Sequence, residues 1–183
     1  MKIAIRNNDL RELNRLLTDS NVKNPIIAKF GDDPITVLHY SAYHGKLDIF
    51  KSVSATVANM QPKAVSGKSR GATPLHYAGQ QGKMNMVRYI TNCLSNINPA
   101  ADDGQTVMYW AAFRGQSEVV NFYLDALEDK NPPIISSDKF NGRTPLHYAA
   151  QFGKLGVVKA ITAVISDKNP KDSHDVCNIL KSC

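Results

Sequence analysis

Three histidines in one recurring local setting, His39, His76 and His147, are the residues most suggestive of chemistry, since repeated imidazoles are what a metal centre or a general base requires. Each lies in a different copy of a repeated segment, however. Packed helices stand about 8–10 Å apart, whereas zinc holds every nitrogen at about 2 Å. No shared metal site is expected, and Tyr109 takes the histidine place in a further copy. Gly67-Lys68-Ser69 ends like a phosphate-binding loop, but Pro62 stands where the earlier glycine should be and no strand precedes it. The Asp32-Asp33 and Asp102-Asp103 pairs lack the further oxygen ligands of a calcium loop and read as solvated turn residues. Cys93, near the end of an apolar helix, is expected to be buried and inert, and nothing beside Cys177 or Cys183 points to a lowered pKa. No catalytic residue, metal or cofactor is expected, and the chain does not read as an enzyme.

The elements that hold these residues follow from composition and pattern. With 183 residues, 43% apolar and 21% charged, the chain can bury a sizeable core within a single domain. Three scattered cysteines and the absence of any Asn-x-Ser/Thr sequence argue for a reducing, intracellular setting, cytoplasmic with the nucleus left open. No signal peptide follows Met1-Lys2-Ile3-Ala4-Ile5-Arg6, and no apolar run of membrane-spanning length occurs. The net charge of +6 is carried entirely by residues 34–100, where seven basic residues face only Asp48. Such a surplus steers acidic partners without naming one.

Laid against itself, the sequence repeats. The segments beginning at Thr36 (Thr-Val-Leu-His-Tyr-Ser-Ala), Thr73 (Thr-Pro-Leu-His-Tyr-Ala-Gly), Thr106 (Thr-Val-Met-Tyr-Trp-Ala-Ala) and Thr144 (Thr-Pro-Leu-His-Tyr-Ala-Ala) align without gaps. A glycine follows each threonine by nine residues, at Gly45, Gly82, Gly115 and Gly153, and an apolar-periodic run follows each glycine. The threonines are 37, 33 and 38 residues apart. Threonine caps a helix, proline suits its first turn, and glycine ends it in a left-handed turn. Each unit is therefore a helix–turn–helix joined to the next by a polar loop. It leaves apolar surface on both sides and becomes stable only when stacked.

Thr-Pro-Leu-His-Tyr-Ala-Ala, followed by Gly and an apolar helix, resembles the ankyrin repeat, and the resemblance covers nearly the whole chain. It implies an all-α repeat fold, an α-solenoid whose short inner and longer outer helices are joined by β-hairpin fingers. It further implies that the histidine bonds loop backbone and that the binding face comprises finger tips and inner helices. The units are expected at about 1–29 (incomplete), 30–66, 67–99, 100–137, 138–170 and 171–183, the last a degenerate stub around Cys177–Cys183. Asn8 stands in the glycine place of the first unit. The extra residues behind the spacings of 37 and 38 fall in two long fingers, near 56–71 and 129–142, expected as extended loops.

The residues left over define a candidate partner-binding face. Tyr43 and His44, Gln80 and Gln81, Phe113 and Arg114, and Gln151 and Phe152 close the inner helices. Lys68, Ser69 and Arg70 lie on the first long finger, with Lys63 nearby, and Lys139 and Phe140 on the second. Aromatics and arginine are the types most enriched at interface centres. Tyr40, Tyr77 and Tyr148 are expected to pack between helices, whereas Trp110, in the most deviant unit, reads equally as an anchor or as drift. The expected function is a non-catalytic interaction module or scaffold, monomeric, binding another protein that carries an acidic or phosphorylated segment. Two alternatives stand beside it: the repeat segment of a larger channel, kinase or acyltransferase, and binding of an anionic ligand or lipid headgroup by the basic finger. Nucleic-acid binding is not expected, because no aromatic is interleaved with that finger's charges.

Overall fold

The computed structural model of the chain describes residues 1–20, 26–30, 33–135 and 141–166. The stub expected at 171–183 lies outside them, as do Asp32, Lys139 and Phe140. In chain order the elements are α1 (Lys2–Arg6), α2 (Leu10–Ser20), β1 (Ile26–Phe30), β2 (Asp33–Thr36), α3 (Val37–His44), α4 (Leu47–Ser54), α5 (Pro74–Gln80), α6 (Met84–Thr91), α7 (Val107–Arg114), α8 (Ser117–Ala126), α9 (Pro145–Gln151) and α10 (Leu155–Val164). They form two compact units: Met1–Ala78 with Lys83–Ser95, and Gly79–Gly82 with Asn96–Cys183.

Each inner helix starts at its threonine. Thr36 is extended, with φ −85° and ψ 173°, and its N–H donates to His39 Nδ1 at 3.3 Å while its hydroxyl lies 2.9 Å from the same nitrogen. Thr73 with His76 and Thr144 with His147 repeat this arrangement, each N–H donating to Nδ1 at 3.1 Å. A nitrogen that accepts must be unprotonated, so the His39 proton sits on Nε2, which donates to the Ala72 carbonyl at 3.2 Å. Burial holds this imidazole down to about 4, against an ordinary 6.5, so it is neutral. In α7, where Tyr109 replaces the histidine, the Thr106 hydroxyl accepts the Tyr109 N–H at 3.3 Å, the half of the capping box that needs no histidine. The helix keeps its cap by the ordinary threonine route.

The inner helices end as their spacing predicts. Gly45 and Gly115 have φ of 68° and 79°, and Asn8 in the corresponding place of the first repeat has φ 58°. Each turn is closed twice, by Gly45 N–H to Ala42 O and Lys46 N–H to Ser41 O in one case, and by Asn8 N–H to Ile5 O and Asp9 N–H to Ala4 O in another. The glycine is needed for a second reason. A β carbon on Gly45 would stand 2.9 Å from Lys83 Cδ, because the turn residue of the following repeat lays its stem across the glycine. Lys154 covers Gly115 in the same way.

In the first unit the fully buried residues include Ile5, Leu13, Leu38, Phe50, Leu75 and Ile90; in the second, Met108, Val120, Tyr123, Leu146 and Ile161. The Tyr123 hydroxyl donates a hydrogen bond to Ile97 O at 2.9 Å, and burial raises its pKa.

The fingers share one tie. Ala64 N–H donates to Ala72 O and Gly71 N–H returns to Ala64 O; Ala101 with Gln105 and Gly104, and Ile134 with Arg143 and Gly142, repeat the pattern. From tied residue to glycine is seven positions in the first, three in the second and eight in the third. The differences of four and five equal those between the threonine spacings of 37, 38 and 33, so the insertions sit inside the tied loops. The hairpin of β1 and β2 is antiparallel, pairing Phe30 with Asp33 and Ile26 with Thr36 around a bulge between Ile26 and Ala28.

A further device recurs ahead of each finger. Asn59, Asn96 and Asp129 accept the backbone N–H of Gln61, Asn98 and Asn131 respectively, at 2.8, 3.0 and 2.9 Å. Gln61, Asn98 and Asn131 then accept, through their side-chain oxygens, the N–H of Leu75, Met108 and Leu146, at 3.1, 3.0 and 3.1 Å. Those N–H groups belong to the second residue of an inner helix and have no partner within it. The end of one repeat thus caps the helix that begins the next.

Candidate functional site

In the second unit the ends of α7 and α9 bring an aromatic cluster together. The Phe113 and Phe152 rings meet edge to face at 4.6 Å, Tyr109 and Tyr148 at 4.3 Å, and Tyr148 stacks with Phe152 at 6.2 Å. Two guanidiniums lie over these rings, Arg114 at 5.6 Å from Phe113 and Arg143 at 5.5 Å from Tyr148. Arg143 also reaches Tyr148 Oη and Gln151 Oε1, each at 3.4 Å. Tyr109 is 4% exposed, and burial first, then its hydrogen bond with Tyr148, raises its pKa. Phe113 is half-buried and Arg114 and Gln151 are exposed. Phe152 keeps 45% of its surface in water, at the place held by Arg114 one repeat earlier. A buried layer of tyrosine thus supports a layer of half-buried Phe113 and exposed Phe152 and Arg114.

Trp110 does not belong to the exposed layer. It is 7% exposed, like the residues aligned with it, Tyr40, Tyr77 and Tyr148, at 3%, 2% and 6%. The aromatic after the histidine place is a packing residue in every repeat, so Trp110 offers a partner little surface. Gln80 and Gln81, also in this unit, are half-buried, and the Gln80 carbonyl accepts from Gln116 Nε2 at 3.1 Å. A groove of about 350 Å³, which the sequence does not reveal, lies along this unit's fingers, with Asn96, Gly104, Leu127, Pro133 and the exposed Ile135 among its lining residues.

In the first unit Tyr43 and His44 are half-buried at the end of α3, their rings 5.1 Å apart. Lys68 and Arg70 are exposed on the first long finger, and the half-buried Ser69 gives its carbonyl to Ala72 N–H at 2.9 Å. Residues 67–71 form a tied loop between two left-handed glycines, and no helix follows Lys68 to cradle a phosphate. Cys93 corrects the sequence expectation: α6 stops at Thr91, so Cys93 falls in the turn beyond it and is exposed.

The fold and the family agree. The family model described as ankyrin repeats (3 copies) matches residues 1–101 and again 91–172. The chain belongs to the ankyrin-repeat family. A search of curated proteins returns no match. The chain is accordingly an all-α repeat protein, and ankyrin repeats are generic protein-interaction modules. Among the described residues no helix is long and apolar enough to cross a membrane.

Proposed function

We propose that this ankyrin-repeat chain is a non-catalytic scaffold, working in the cytoplasm or nucleus, that binds a partner protein through its inner-helix ends and fingers. The observation that carries the reading is the Phe113–Phe152 pair with Arg114 over the Phe113 ring, an aromatic edge whose Phe152 is exposed and whose Phe113 is half-buried, seated on a buried tyrosine layer. Rigid aromatics flanked by arginine lose little entropy on binding and bury much apolar area, which is why they dominate interface energetics. Gln151 supplies a hydrogen-bonding rim beside them, while in the first unit the half-buried Tyr43 and the exposed Lys68 and Arg70 offer corresponding residue types.

Affinity capture from cell extract by the purified chain tests this, run beside a Phe113→Ser, Phe152→Ser double variant and a Lys159→Ser control on α10. A protein retained by parent and control but lost by the double variant, with helicity unchanged, supports the reading. Equal retention by all three refutes it.

A further inference from the structure

The first unit gathers cations around one histidine. Unit one holds thirteen of the chain's Lys and Arg residues against six Asp and Glu, so the protein's positive charge resides there. α1 ends at Arg6, whose Nε–H donates to Tyr40 Oη at 2.7 Å and whose guanidinium lies 6.0 Å from that ring. The Tyr40 ring stands 4.4 Å from His44, and Tyr43 flanks it on the other side in sequence at 5.1 Å. Lys46 follows directly in the turn. Lys83 arrives from the next repeat, its Cγ, Cδ and Cε passing 3.3, 2.9 and 3.5 Å from where a Gly45 β carbon would stand. Three repeats thereby deliver one cation each to a single turn.

The charge environment of His44 agrees with this geometry. Burial, then Arg6, Lys46 and Lys83 in that order, holds its pKa below the ordinary value. The Tyr40 and Tyr43 rings also stand beside it; of the acids, Asp48 is exposed in the first turn of α4, and Asp9 holds in the first repeat the place that Lys46 holds in the second. The end of α3 and the start of α4 meet in this turn, so their opposed dipoles largely offset one another and the side-chain charges decide.

We propose that this turn is a binding site for a phosphate monoester dianion, held by Arg6, Lys46 and Lys83 with His44 as a further donor. A dianion relieves the mutual repulsion of the three cations where a single carboxylate leaves most of it, and guanidinium and ammonium donors form their strongest hydrogen bonds with phosphate oxygens. Binding favours the imidazolium, so by linkage the bound dianion raises the titration midpoint of His44. The site stands on residues of the first unit and holds whether or not the aromatic cluster of the second unit binds a protein.

The test is a histidine ring-proton NMR titration against pH, with and without millimolar O-phosphoserine, using sodium chloride at equal ionic strength as control and His44→Gln to assign the signal. The expected result is an upward shift of the His44 midpoint with phosphoserine alone. In Lys83→Met, which keeps the stem over Gly45, the phosphoserine dissociation constant rises roughly tenfold, and Lys46→Ala behaves likewise. Phe152→Ser leaves it unchanged. A phosphoserine-bearing peptide distinguishes the sources: tighter binding than the free amino acid, absent in the unphosphorylated peptide, assigns the site to phosphorylated chains, and equal binding assigns it to free phosphomonoesters. A midpoint that does not move or that chloride moves equally, or a phosphoserine dissociation constant that is the same in both lysine variants as in the parent, overturns the proposal.

Discussion

Acid should weaken this protein through His39. The ring is buried, its Nδ1 accepts the Thr36 N–H and its Nε2–H is given to Ala72 O. A second ring proton would have to sit on Nδ1, facing an N–H and displacing that bond. The folded-state value is therefore pressed to about 4 from 6.5. Because the folded value is the lower one, the unfolded chain binds more protons between the two, and stability is lost as pH falls through that window. The linkage relation gives a loss of about 2 kcal/mol between pH 7 and 5, growing to about 3 kcal/mol by pH 4. Urea unfolding of the parent and of His39→Gln at both pH values measures it. Glutamine is the ordinary capping-box partner of threonine and can accept the Thr36 N–H without titrating. The parent should lose about 2 kcal/mol more than the variant over this range. Parallel losses in the two proteins would refute the assignment of a neutral, Nε2-protonated His39.

The other expectations concern the repeat framework. Leu146→Ala, at a fully buried site, should cost about 2–5 kcal/mol, and hydrogen exchange should show α9 and α10 loosening before the first unit. Asn131→Ala removes the acceptor for Leu146 N–H and should cost about 1–2 kcal/mol in urea unfolding, against almost nothing for exposed Asn121→Ala. Gly115→Ala forces a methyl into φ 79° beside the Lys154 stem and should cost about 1–2 kcal/mol, while Asn8→Gly should raise the melting temperature slightly.

Much of the framework is legible in the chain because each device is local. Thr36, Thr73, Thr106 and Thr144 start helices, and Gly45, Gly115 and even Asn8 end them, through hydrogen bonds spanning three to five residues. The finger insertions follow from threonine spacings alone. The pairs Asn59/Gln61, Asn96/Asn98 and Asp129/Asn131 are equally regular, but they sit on the far side of those insertions and lose register when the threonines are aligned. Their signal was a polar residue two before another, each followed by proline at Pro62, Pro99 and Pro132. Cys93 is exposed against expectation because α6 ends at Thr91, short of its apolar run, and leaves it outside the helix. The candidate sites are the least legible part. Phe113 meets Phe152, one position out of alignment, and Arg6, Lys46 and Lys83 converge from three repeats, arrangements set by how repeats stack.

The claim that this ankyrin-repeat chain recognises a partner through the exposed aromatic edge is tested most directly by placing a photo-crosslinking amino acid at position 152, with position 121 on the outer helix α8 as control. One partner protein joined through 152 and not through 121, competed away by unlabelled parent and not by the Phe113→Ser, Phe152→Ser variant, is the predicted result. Equal crosslinking at both positions, or competition by the double variant as strong as by the parent, would contradict it.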